Sequence, residues 1–301
     1  MAKTSTPSGP KAGLDQLLDR FNVAKKSFDA GVNDLEALGA ISTDAVTLLL
    51  TPGTTVAAQG AAVLGGQTKN YEVRRFGLCL SRPARQDLFI ASPEEFSVRW
   101  NEFRAAVKPG SRKAEHVDAD ALLYTAAMAF AICFDLHRPT SRKTPGTFFE
   151  VLIGAVLGQL SGLPRGKQIT LPDTSYKVPT DIVLQGGSGE PTIVIPTKIT
   201  TRERVVQPWA HQRILDDAFG RGKYKSVLVA VSELQRDGTI GVNEICVPGQ
   251  IGLYQRYLGQ MYGMYYLDPP ASYQTQTFLA LLPTRSLSSL LATDLHNLLL
   301  P

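Results

Sequence analysis

The sequence predicts an α/β fold with a mixed central sheet flanked by helices, joined to a mostly helical N-terminal region. Three observations carry that prediction. Apolar residues recur at helical spacing over much of the first 140 residues. From Pro145 the pattern changes to a nearly all-apolar helix followed by a series of short β-type runs. A further helix falls between two of those runs, and helix alternating with strand builds a layered α/β core.

Length and composition are consistent with this. A chain of 301 residues suffices for one large domain or two small ones. Hydrophobic residues make up 44% and charged residues 19%, an ordinary globular balance. Cys79, Cys133 and Cys246 lie in apolar surroundings without paired spacing, which points to a reduced, cytoplasmic protein with buried thiols and against a cysteine zinc site. The longest apolar stretches, such as 121–134, fall short of a membrane span. The net charge of +4 is weak evidence for a polyanionic partner, since many enzymes with small anionic or neutral ligands are as basic.

The elements follow in order. Residues 1–12 are rich in Ser, Thr, Pro, Gly and Lys and lack an apolar run, so a disordered tail is expected rather than a secretory signal. Residues 13–144 form the helical region, expected to serve as an arm, a specificity element or a dimer contact. Leu14, Leu17, Leu18, Phe21, Ala24 and Phe28 mark a helix over 14–38. Residues 57–66 are small and Gly-rich, and 75–81 suit a strand. Ser92-Pro93-Glu94-Glu95 opens a helix with a hydroxyl cap, a proline in the first position and acids in the first turn. Residues 118–134 form an apolar helix. Residues 145–301 form the core. Its first helix, 147–160, is stopped by Gly162. Strands are expected at 168–171, 178–184, 192–197, 226–233, 241–247 and 277–282, and helices at 207–219, 250–265 and 286–299.

The residues that carry chemistry sit around the second and third of those strands. Asp181 lies in 178–184, and Lys198 leaves 192–197. A carboxylate and a lysine at adjacent strand ends are what a metal-dependent phosphodiesterase needs. The carboxylate holds a divalent cation, and the ammonium orients water or stabilises charge on the phosphorane. The bland alternatives are a turn-capping acid and the first solvated residue after a strand. Glu150 stands in an apolar helix, where an acid is rarely buried unpaired, so it is either a surface residue or a second carboxylate facing the metal. Arg202, Glu203 and Arg204 read as a solvated cluster or as base readers, because Arg forks onto guanine O6 and N7 and Glu accepts from cytosine N4. His211 and Gln212 follow on the next helix. Basic clusters at Arg74, Arg75, Arg82 and Arg85, at Arg104, Lys108, Arg112 and Lys113, and at Arg138, Arg142 and Lys143 are solvated surface or phosphate contacts. Walker A, G-x-G-x-x-G, G-x-S-x-G and H-E-x-x-H patterns are absent.

At these residues the chain resembles the type II restriction endonucleases of the PD-(D/E)XK superfamily, in particular the EcoRII-, SsoII- and AgeI-like branch that cuts CCGG, CCNGG and similar sites. Pro179-Thr180-Asp181 matches the Pro-Asp of the motif with one residue inserted. Pro196 stands where the usual acid would precede Lys198, as in that branch, where an acid on the next helix takes over its role. Arg202-Glu203-Arg204 matches the Arg-(Asp/Glu)-Arg recognition element, and Glu150 the upstream helix glutamate. The displaced acid would fall near His211 and Gln212, neither of them a carboxylate. The resemblance implies a restriction-endonuclease-like core and Mg²⁺ as cofactor, with Asp181, Lys198 and Glu150 catalytic. Metal ligands would come from Asp181, Gln212 and Glu150. It further implies double-stranded DNA as substrate, a homodimer on a palindrome, and a cognate DNA methyltransferase acting on the same site. A repair nuclease of the same fold and an inactive DNA-binding relative are the alternatives.

Overall fold

The computed structural model describes residues 10–64, 67–114, 118–172, 175–201, 205–238 and 241–301. The tail expected over 1–12 is therefore described only from Pro10, where α1 (Pro10–Asp29) begins. The single helix expected over 14–38 is two. The chain breaks at Gly31, whose φ of 91° suits glycine, and Asp34 then caps α2 (Leu35–Leu49) by accepting from the Ala37 N–H at 2.9 Å.

The small, Gly-rich segment 57–66 is described as far as Leu64, and 57–64, with no strong period of its own, is part of a long strand. β1 (Thr54–Leu64) pairs antiparallel with β2 (Gln67–Phe76), which also carries the short strands β3 (Cys79–Leu80) and β4 (Ala84–Arg85). The N-terminal region thus contains a four-stranded sheet as well as helices. Tertiary pairing decided this, since Ala, Gln and Gly favour no strand alone. α3 (Pro93–Ala106) starts as its sequence indicates, with Ser92 Oγ accepting from the Glu95 N–H at 3.1 Å. α4 (Ala119–His137) and α5 (Lys143–Ser161) follow, and Gly162 ends α5 at a φ of 67°.

The central elements are β5 (Arg165–Thr170), β6 (Lys177–Leu184), β7 (Thr192–Ile195), β8 (Thr197–Lys198), α6 (Val206–Phe219), β9 (Tyr224–Ala230), the hairpin β10 (Leu234–Asp237) and β11 (Gly241–Glu244), α7 (Pro248–Tyr257), β12 (Gly263–Tyr266), α8 (Gln276–Leu281) and β13 (Thr284–Ser286). A closing helix runs through α9 (Leu287–Ser289), a π-helical turn (Leu290–Asp294) and α10 (Leu295–Leu298). The sheet order is β13-β12-β9-β7-β6-β5, with β8 carrying on the line of β7 beside β9. β5, β6 and β7 pair antiparallel, while β7, β9, β12 and β13 run parallel, so the sheet is mixed as expected.

Two expected elements differ. Residues 250–265 hold a helix and a strand rather than one helix. At Gly259 an added Cβ would meet the Trp209 carbonyl at 2.7 Å, so the chain passes close under α6 before β12 inserts between β9 and β13. Residues 277–282 lie mainly in α8, not a strand; Thr275 caps it, and a short apolar run does not by itself distinguish the two.

Alternate residues of the sheet serve opposite faces. Ile193, Ile195, Val227 and Val229 join Phe130, Phe148 and Leu152 of α4 and α5 in one hydrophobic cluster, which continues to Leu14 and Phe21 of α1. Val194 packs on Leu215, and Leu228 and Ala230 on Trp209 and Ile251. Each fully buried Ile, Leu, Val or Phe contributes about 1.5–3 kcal/mol. α4 is long and apolar enough to cross a membrane, yet residues 121–134 are all buried here, and the helix is the centre of the core. Buried ions join the two parts of the chain. Lys69 of β2, 2% exposed, donates to Asp268 Oδ1 at 3.0 Å and to the Pro269 carbonyl at 2.9 Å. Arg85 of β4 donates to the same oxygen at 2.5 Å.

Candidate active site

Pro196 organises the site. β6 and β7 stay in register to Ile182↔Ile195, and the next step would oppose Asp181 to Pro196, which has no N–H to give. The ladder stops there. The Thr197 N–H donates instead to Asp181 Oδ2 at 2.6 Å, so a side chain takes the bond that the strand backbone gives up. β8 is then held from the other side, where the Val229 N–H donates to the Pro196 carbonyl and the Val231 N–H to the Lys198 carbonyl, each at 3.0 Å. Lys198 Nζ donates to Asp181 Oδ2 at 3.1 Å and to the Thr197 carbonyl at 2.9 Å. The pair is part-exposed, 30% for the Asp181 side chain and 24% for Lys198, so a ligand can reach both. His211, on the first half of α6, lies close enough to feel both charges. Burial lowers its pKa, Lys198 lowers it further and Asp181 opposes. These effects together favour its neutral imidazole.

Glu233 stands behind this site. Only 1% exposed, it accepts from the Thr201 N–H at 3.1 Å and from the Tyr266 hydroxyl at 2.8 Å. Burial pushes its carboxyl up to about 7.

No protein-family model matches the chain, and no curated protein does. Among solved structures the chain is similar to the crystal structure of the Type IIP restriction endonuclease Kpn2I, with 35% identity and a TM-score of 0.80 over 94% of this chain and 97% of that one. The chain belongs to the type II restriction endonucleases. A second solved structure, the restriction endonuclease PspGI in complex with substrate DNA, aligns over 68% of this chain and 90% of that one at 13% identity and a TM-score of 0.43. Sequence-specific cleavage of DNA is the activity of the family, and the mixed sheet flanked by helices is its fold.

The other anticipated residues of the endonuclease fall in different places. Gln212 is fully buried and turned to β9. Its Nε2 donates to Asp216 Oδ1 at 2.7 Å and to the Tyr224 carbonyl at 3.0 Å, and its Oε1 accepts from the Ser226 N–H at 2.8 Å. The oxygen anticipated as a metal ligand is thus engaged in locking α6 to β9. Glu150 pairs with Lys167 of β5 at 2.7 Å, and Lys167 pairs with Asp29 of α1 at 3.1 Å. Burial opposes the charge of Lys167, but the two carboxylates hold its pKa above the usual value. Among the described residues, no hydrogen bond or ion pair links Glu150 to Asp181 or Lys198. Arg202, Glu203 and Arg204 lie outside the described residues; Thr201, held by Glu233, is the residue before them. Among the described residues, no group of three or more His, Cys, Asp or Glu could hold a metal ion. The sequence does not single out Glu233, although an acid two residues beyond the apolar run 227–231 was a signal for it.

Proposed function

We propose that this endonuclease cuts double-stranded DNA at a short G·C-rich palindrome of the CCGG or CCNGG kind, with Asp181 and Lys198 at the reacting phosphodiester and Mg²⁺ as cofactor. The Asp181–Lys198 contact of 3.1 Å, part-exposed where two strands of the central sheet part, carries this reading. Mg²⁺ is commonly bound by one or two carboxylates together with substrate phosphates, and a single carboxylate at the pair fits such a site. When bound, the ion neutralises phosphate charge and lowers the pKa of water. Asp181 would ligate it, with Glu150 acting through water. Gln212 as a ligand would first have to give up its bond to Ser226.

Lys198 has three donors, and two are committed to Asp181 and Thr197. The third is free for the attacking water or a phosphate oxygen. In hydrolysis the water oxygen bonds to phosphorus and the P–O3′ bond breaks. The electron pair leaves on O3′, which takes a proton, and the ends are a 5′-phosphate and a 3′-hydroxyl. Arg202 and Arg204 would read guanine and Glu203 cytosine. A homodimer would match its two-fold axis to the palindrome, and a cognate methyltransferase would act on the same site.

Digesting plasmid DNA with Mg²⁺ and sequencing the ends tests the reading. Discrete fragments with one sequence at every end are expected, and chelation of the metal should abolish them. A smear would indicate a non-specific repair-type nuclease. Binding without cutting would indicate an inactive DNA-binding relative, the reading that Pro196 in place of the usual acid and the committed Gln212 favour.

A further inference from the structure

A cleft of about 560 Å³ lies between the N-terminal region and the central sheet, and its wall includes Ile199 and Thr200, the two residues after Lys198. Four arginines line it, Arg82, Arg138, Arg142 and Arg236, against one carboxylate, Asp135. They come from separate parts of the chain: the β3–β4 connection, the link from α4 to α5, and β10. The four are not equally committed. Arg82 forks onto Asp135, Nε to Oδ2 at 2.8 Å and Nη2 to Oδ1 at 2.9 Å. Arg138 pairs with Asp15. Among the described residues, Arg142 and Arg236 have no carboxylate partner, and Arg236 donates to the Ser81 carbonyl at 3.3 Å.

Folding therefore brings several like charges to one open cleft and leaves two of them uncompensated, which costs energy unless an anion neutralises them. Guanidinium groups are shaped to hold phosphate oxygens through paired N–H donors. The cleft is open and polar, unlike the enclosed apolar pockets that take small molecules. It also begins where the catalytic strand ends.

We propose that this cleft is a phosphate clamp, in which Arg142 and Arg236 hold the sugar–phosphate backbone of duplex DNA beside the reacting phosphodiester. It rests on the DNA-cleaving reading for its ligand and is independent of which bases are read. It gives residues 54–142 a direct part in holding substrate.

The test is the salt dependence of binding to a short random-sequence duplex without divalent metal, followed by fluorescence anisotropy. Each phosphate contact contributes about 0.9 to the slope of log K against log salt. The Arg142→Ala/Arg236→Ala double variant should flatten the slope by about 1.8 and weaken binding several-fold, with unchanged circular dichroism. The Arg142→Lys/Arg236→Lys variant keeps both charges and should recover most of the slope. The Arg221→Ala/Arg256→Ala variant, at two exposed positions outside the cleft, removes the same charge as the control and should leave the slope as it is. An unchanged slope in the double alanine variant overturns the clamp, as does an equal loss in the control. If the wild type cuts plasmid while the slopes agree, the clamp alone fails. If it neither binds nor cuts DNA, the DNA-cleaving reading fails with it.

Discussion

Asp181 does two jobs with one oxygen, and the two can be separated. Its Oδ2 accepts from the Thr197 N–H, a structural bond, and from Lys198 Nζ. Asp181→Ala and Lys198→Ala should each reduce cleavage by roughly 100–1,000-fold or more, the range seen when a charge-stabilising group is removed. Only Asp181→Ala also strands the Thr197 N–H, so its unfolding free energy should fall by about 1–3 kcal/mol more than that of Lys198→Ala. Cleavage rates paired with urea unfolding check both. Glu233 makes a second prediction. Its carboxyl is pushed up to about 7 by burial, despite the bonds from Tyr266 and Thr201, whereas in the unfolded chain it titrates near 4.5. Between those values the folded protein binds the proton more tightly than the unfolded one. This contribution is therefore largest at low pH and is lost as pH rises through 7, on the order of 3 kcal/mol in total. Glu233→Gln should lose less stability than the wild type between pH 5 and pH 8; matching slopes would contradict the assignment.

Among the elements, α6 is fastened to β9 by the Gln212 amide, which satisfies Ser226 N–H and the Tyr224 carbonyl at once. Gln212→Ala should cost about 2–4 kcal/mol by leaving those backbone groups buried and unpaired. It should leave unchanged the Mg²⁺ concentration that gives half-maximal cleavage. A shifted metal titration with normal stability would return Gln212 to the metal. The sequence signalled the elements that carry their own punctuation: Ser92 before α3, Gly162 after α5 and Gly220 after α6 are visible without any partner. The Asp181–Lys198 contact was legible only in part: Lys198 ends β8 as expected, but Asp181 lies inside β6, one step beyond the last register pair Ile182↔Ile195. β1 and β12 were not, because their strand character comes from the neighbours they pair with. Nor was the inward turn of Gln212, since two adjacent helix positions differ by rotation alone. The arginine cleft was present in the sequence only as Arg82 and the Arg138–Arg142 pair in separate basic clusters, with Arg236 in none, until the fold brought three segments together.

For the whole molecule, a two-fold palindrome calls for a two-fold enzyme. Light scattering should find a homodimer, free or on DNA, and a monomer under both conditions would contradict that arrangement. The hydrophobic cluster that begins at Leu14 and ends in the central sheet also makes a prediction. A fragment of residues 145–301 would lose the α1 and α4 side chains that cover Phe148 and Leu152, and would strand Asp268 without Lys69 and Arg85. It should therefore aggregate on expression, whereas a self-sufficient core would give a cooperative melt.

The clamp of Lys69 and Arg85 on Asp268 reaches beyond stability. Its partners lie 199 and 183 positions apart in the chain, so a change in charge on one side must be matched by a change far away on the other. A chimaera joined near the midpoint to a relative that pairs these positions differently would place an uncompensated charge in the interior and should fold poorly whatever sequence it was meant to cut.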